Sequence, residues 1–255
     1  MVPGSACSYG ASMTRTTENS LGEEMGREAR IWASGLSYRY GSTAALGDVT
    51  IAVGDGESIA IMGPSGSGKS TLLHMLAGIM RPDSGRVMLR TDRGSVDVAA
   101  MEDRERSALR RTEFGFVFQQ GLLIPELTAA ENVSLPLLLN GVTRSKAGRI
   151  ADALLVELGL GGMGGRRIGQ LSGGQAQRVA IARARATQAR VVFADEPTGA
   201  LDSRTASDVL GVLLTATVEQ GRSLVVVTHD DDVAARCDRV VRLRDGRIDR
   251  EDAYR

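Results

Sequence analysis

The chain has 255 residues, 42% hydrophobic and 24% charged, an ordinary composition for a globular protein with one sizeable core. Its 31 basic and 31 acidic residues cancel, which argues against a nucleic-acid-binding surface or a polybasic membrane anchor. No apolar run approaches the ~18–20 residues that cross a bilayer. The two cysteines, Cys7 and Cys237, fit no metal or disulfide spacing, so a reduced, cytoplasmic chain is expected.

Residues 1–30 are rich in Gly, Ser, Thr and Glu without apolar periodicity, which predicts a disordered tail ahead of one domain over 31–255. Residues 31–53 suit short strands with turns at Gly35, Gly41 and Gly47, and residues 58–62 form an apolar strand. A helix is predicted over 71–80, with Leu72, Leu73, Leu76 and Ile79 on its apolar side. The stretch Pro82, Asp83, Ser84, Gly85 is a turn. Further strand is expected over 86–98 and a charged helix over 100–111. Thr128 and Glu131 stand at capping-box spacing and open a helical region to about residue 160, with an apolar stripe of Ile150, Leu154, Leu155 and Leu158. Gly161 to Gly165 breaks the pattern. A helix follows from Ser172 to about Ala186, and apolar strands are expected at 191–194 and 224–227. Apolar runs without alternation, separated by helices, indicate an α/β fold whose parallel sheet is covered on both faces.

Three stretches carry chemistry. Gly63, Pro64, Ser65, Gly66, Ser67, Gly68, Lys69 and Ser70 follow a strand and run into a helix at Thr71, the context a phosphate-binding loop requires. Glycines let backbone N–H groups converge on a triphosphate at the positive end of the helix. Lys69 is expected on the β- and γ-phosphates, and the Ser70 hydroxyl on Mg²⁺. The strand at 191–194 runs into Asp195 and Glu196. Asp195 is placed to reach the same Mg²⁺, and Glu196, on the other side of the strand, to take a proton from an attacking water. Ser172, Gly173, Gly174 and Gln175 open a helix with capping-box spacing at Ser172 and Gln175. Paired glycines there exceed what a cap needs, since each costs about 1 kcal/mol inside a helix. A second anion-binding helix start is expected.

A phosphate loop, then Leu171-Ser172-Gly173-Gly174-Gln175, then a strand ending in Asp195-Glu196 resembles the ABC-type ATPases over residues 31–248. The resemblance implies a P-loop NTPase with a RecA-like parallel-sheet core, an antiparallel β subdomain, and a helical subdomain at about 120–175. It implies ATP and Mg²⁺, and a head-to-tail dimer in which the Ser172 segment of one copy closes over the nucleotide on the loop of the other. By the same resemblance Tyr40, with Tyr38 as competitor, stacks on adenine. Gln119 approaches Mg²⁺ and the attacking water, the loop at Asp202 touches the opposite subunit, and His229 contacts the γ-phosphate.

The run Gly115-Phe116-Val117-Phe118-Gln119-Gln120, with Leu123-Ile124-Pro125 and Glu131-Asn132-Val133, is similar to the lipoprotein-release and macrolide-export branch. ATPases of that branch partner FtsX-like integral-membrane permeases. This implies a second copy or a homologous ATPase subunit, a permease partner, no nucleic acid, and a place on the inner face of the cell membrane through the permease. A related cell-division ATPase with an FtsX-like partner, doing mechanical rather than transport work, is the alternative. The apolar segment 121–125 is expected to be either local packing or a permease-docking surface, with Leu123 and Ile124 as its contacts.

Overall fold

The computed structural model describes residues 29–119 and 122–253. A four-stranded antiparallel sheet has the order β2-β1-β4-β5, from β1 (Ala29–Tyr40), β2 (Thr43–Gly54), β4 (Ser84–Thr91) and β5 (Gly94–Asp97). A six-stranded sheet has the order β10-β9-β3-β8-β7-β6, from β3 (Ser58–Met62), β6 (Phe114–Phe118), β7 (Val191–Asp195), β8 (Ser223–Val227), β9 (Arg239–Arg244) and β10 (Arg247–Ala253). Its pairings are parallel except β10 on β9.

All five residues of β3 and of β8 are buried, and alternate side chains enter two different cores. Ile59, Ile61, Phe193, Val225 and Val227 join the antiparallel sheet and helix α1 (Lys69–Leu76). Ala60, Met62, Ala194, Leu224 and Val226 join the helices on the other face. This division explains why these strands read as unbroken apolar runs. The second core is built from α3 (Ala129–Leu139), α4 (Arg144–Glu157), α5 (Gly173–Ala186) and α6 (Ser203–Ala216). Helix α2 (Asp103–Thr112) and the short α7 (Asp231–Ala234) complete the described helices longer than one 3₁₀ turn.

Several boundaries differ from expectation for local reasons. Most of the expected tail, residues 1–28, lies outside the described residues, but Ala29 and Arg30 already belong to β1. Arg30 is buried, donating from Nε to Asp55 Oδ1 (2.9 Å) and from Nη1 to the Arg90 carbonyl (2.9 Å), contacts its flanking polar residues conceal. Gly41 makes the β1–β2 turn, whereas Gly35 lies at a β-bulge and Gly47 continues β2. The helix after the phosphate loop stops at Leu76 because Gly78 takes a left-handed conformation, which leaves Ile79 41% exposed. The helical region from residue 128 is two helices: Asn140 closes α3, Gly141 turns with positive φ, and α4 starts after Thr143. No helix among the described residues is long and apolar enough to cross a membrane.

Candidate active site

The loop after β3 is built around close backbone approaches. Gly63 has φ 147°, and a Cβ there would stand 2.1 Å from the Leu243 carbonyl oxygen, so only glycine fits. Gly68 N-caps α1 without any side-chain cap, leaving first-turn N–H groups for an external anion. Lys69 Nζ donates to the carbonyls of Gly63 (2.9 Å) and Pro64 (3.0 Å), which holds the ammonium inside the curve of the loop. Pro64, Ser65 and Gly66 form its exposed rim. Ser67 and Thr71 are buried, so any contact of theirs with a ligand runs through the backbone. The Ser67 hydroxyl has no partner among the described residues.

Ser70, on the first turn of α1, faces the same cavity as Asp195 at the end of β7, and its hydroxyl draws the carboxyl's pKa down. Burial pushes the Asp195 carboxyl above the ordinary carboxylate range, against the pull of Ser70, His74 and Lys69. The Ser70 hydroxyl, the half-buried Asp195 carboxylate and the Gln119 amide, all lining one cavity, offer oxygen donors of the kind a hard cation such as Mg²⁺ takes. Gln119 stands exposed just past β6. It shares with Ser70, Phe118, Leu122, Asp195 and Glu196 a cavity of about 360 Å³.

Glu196 departs from expectation. β7 ends at Asp195, and Glu196 takes φ 46°, a left-handed conformation costing a non-glycine residue about 1–3 kcal/mol. Its N–H donates to the Val227 carbonyl at 2.9 Å, fixing the turn to the end of β8. The turn, rather than strand alternation, aims the side chain. Glu196 Oε1 lies 2.8 Å from His229 Nδ1. The Glu196 carboxylate raises the pKa of His229 above the usual imidazole value.

The Ser172 segment does not enter this cavity. Ser172 Oγ accepts from Gln175 N (3.3 Å) and Gln175 Oε1 accepts from Ser172 N (3.0 Å), a complete capping box. Gly173 is exposed, but Gly174 is buried, and a Cβ on it would meet Thr205 Cγ2 at 2.5 Å. One of the two glycines is therefore explained by the approach of α6. Asp202 N-caps that helix, accepting from Thr205 N at 3.1 Å. Tyr40 is 53% exposed at the tip of β1, edge-to-face with Tyr38 at 4.9 Å. Tyr38 is partly buried against the core.

Beside the cavity, and sharing Phe118 and Leu122 with it, a groove of about 390 Å³ is lined by Ile79, Phe114, Phe116, Pro136, Arg110 and Arg183, among others. Leu122 (61%) and Ile124 (38%) are exposed, whereas Leu123 packs against the helical core. The apolar segment thus divides between packing and surface, and Leu122 replaces Leu123 as an outward contact. Gly121 lies outside the described residues.

Three polar side chains around this loop, two of them buried, bond its backbone in ways the motifs do not announce. Asn132, fully buried, accepts from Ile124 N (2.8 Å) and donates to the carbonyls of Ile124 (3.0 Å) and Thr128 (3.0 Å). Gln177 and Arg183, both on α5, bond to the carbonyls of Phe118 and Leu122. The one signal available was a polar residue at a helical core position, Gln177 one turn from Ala180 and Ile181.

The family model described as ABC transporter matches residues 46–199. A macrolide export ATP-binding/permease protein MacB of Paracoccus denitrificans is 50% identical over 203 residues, 80% of this chain and 30% of that protein. The chain thus spans under a third of that relative. A lipoprotein-releasing system ATP-binding protein LolD of Cereibacter sphaeroides is 47% identical over 210 residues, 82% of this chain and 92% of that protein. Among solved structures, a dimeric ATP-binding cassette in a post-hydrolysis state bound to ADP and phosphate superposes with TM-score 0.78 at 39% identity, covering 88% of this chain and 99% of its own.

Proposed function

Because this chain belongs to the ABC transporter family of ATP-binding cassettes, we propose that it is the ATP-hydrolysing subunit that powers a separate FtsX-like membrane permease. One observation carries the chemistry: Ser70, Gln119, Asp195 and Glu196 converge on one cavity at the start of the loop helix, and Glu196 in turn holds His229. The N–H groups of α1 and Lys69 bind the phosphates, Lys69 exchanging loop carbonyls for β- and γ-phosphate oxygens. Tyr40 offers an exposed ring to adenine. Ser70, Asp195 and Gln119 hold Mg²⁺, which supplies charge neutralisation on the β- and γ-phosphates.

Glu196 accepts the proton of the attacking water. Its backbone turn and its bond to His229 set the direction of the carboxylate, and His229 stabilises charge developing on the γ-phosphate. Ser172, Gly173, Gly174 and Gln175 of a second copy, with its Asp202 loop, complete the site, since in one chain they lie outside the cavity. The groove beside Leu122 and Ile124 receives the permease, which places the chain on the inner face of the cell membrane. The ATPase domain begins with β1 at Ala29, two residues before the expected start, and residues 120–175 are its helical subdomain. Relatives named for lipoprotein release and for macrolide export mark the class of work: movement of amphiphilic cargo through the permease.

Glu196→Gln should bind ATP as the parent does, lose about 10²–10⁴-fold in hydrolysis, and accumulate as an ATP-dependent dimer in size-exclusion chromatography. Parental turnover by this variant removes Glu196 from the role of base.

A further inference from the structure

Helix α5 starts at the Ser172 cap and also touches both sides of the loop that carries Gln119. Gln177 is 3% exposed, and its Nε2 donates to the Phe118 carbonyl at 2.9 Å, across 59 residues of sequence. Arg183, six residues later, donates from Nη1 to the Leu122 carbonyl at 2.7 Å. Its guanidinium is desolvated, and burial lowers its pKa. Phe118 and Leu122 flank Gln119, and both line the cavity that holds Ser70, Asp195 and Glu196. A buried amide is retained in an alanine-rich helix face only where its hydrogen bond offsets desolvation, and this bond ends on the residue before Gln119.

We propose that Gln177 and Arg183 are positioning residues, a two-point clamp through which the helix beginning at Ser172 sets Gln119 beside Ser70 and Asp195. The clamp depends on the reading of Gln119 given above. It ties the helix that reaches the second subunit to Phe118 and Leu122, on either side of Gln119. Leu122 and Arg183 also line the groove, so whatever fills the groove bears on the same clamp.

The test uses the full chain and two readouts, ATP hydrolysis and amide hydrogen exchange at Gln119, Leu122 and Leu123. Gln177→Leu should lower kcat about tenfold at unchanged KM for ATP, the scale of one lost hydrogen bond, and speed exchange at those amides but not in β3 or β8. Arg183→Met should behave alike, and Arg183→Lys, which keeps a donor, should restore most of the loss. In combination with Gln119→Ala, Gln177→Leu should add nothing, because both changes act through one group. Multiplying effects, unchanged exchange, or equal losses in Arg183→Lys and Arg183→Met each overturn the proposal. If Gln177→Leu fails to fold, the Arg183 pair carries the comparison alone. Parental hydrolysis by Gln119→Ala would sink the reading of Gln119 instead. Exchange would then decide the clamp, supporting it if faster and overturning it if unchanged.

Discussion

His229 is highly exposed, yet its imidazole is not an ordinary one, because the Glu196 carboxylate sits 2.8 Å from Nδ1. The carboxylate stabilises the imidazolium, so the folded-state pKa lies above the usual histidine value. The charged pair is therefore fully formed below the ordinary histidine pKa and is lost as pH rises through the raised one. In Glu196→Gln the shift should largely disappear, which imidazole NMR titration reads directly. An unchanged His229 pKa would mean that the 2.8 Å contact is not populated in solution. At this scale the gathering of Ser70, Asp195 and Glu196 about one cavity beside the Lys69 loop was legible in the sequence, because each follows a strand at fixed spacing. Gln177 and Arg183 were not, and Asn132 was legible only as part of a branch motif and not in its role, since each bonds backbone carbonyls, which every residue offers alike. Their partners lie 59, 61 and up to 8 positions away, and no side-chain pattern marks them.

Between elements, a tight constraint beside the Ser172 segment is the meeting of the α5 and α6 N-termini. Gly174 sits under Thr205, whose N–H also caps against Asp202. Gly174→Ala should destabilise the fold by about 1–3 kcal/mol through overpacking against Thr205 Cγ2. Thr205→Ser removes that methyl while keeping the backbone cap, so the double variant should recover most of the loss in chemical denaturation. A Gly174→Ala chain as stable as its parent, or one that Thr205→Ser does not rescue, refutes the packing account. Both glycines of this helix start read as an anion-site signature, and the packing under Thr205 is an additional demand on Gly174 that the sequence does not show. Strands β3, β7 and β8 were legible because burial on both faces removes alternation. The stops of α1 and α3 were less so: each is set by a single left-handed glycine, Gly78 or Gly141, inside an apolar pattern that continues past it. Likewise Gly47 reads as a turn but is held in β2 by its N–H bond to the Gly246 carbonyl at 2.9 Å.

At the scale of the whole molecule, the phosphate loop and the Ser172 segment of one chain occupy different places, so a site that uses both must span two chains. A C2 pair solves this twice over, each copy lending its Ser172 segment to the loop of the other. Two variants should then each be inactive alone: Lys69→Ala, which damages the loop, and Ser172→Arg, which blocks the segment. Mixed in equal amounts, they form heterodimers with one site built from the intact loop and the intact segment, and one site doubly damaged. If exchange is random and sites act independently, hydrolysis should return to about a quarter of the parental rate. The recovered rate should also grow faster than linearly with total protein at low concentration, since only paired chains contribute. No recovery on mixing, with both variants folded and Ser172→Arg still binding ATP, would place the Ser172 segment on its own chain's nucleotide or away from it altogether. Either result would dismantle the shared site while leaving the loop chemistry of Lys69, Ser70 and Asp195 untouched.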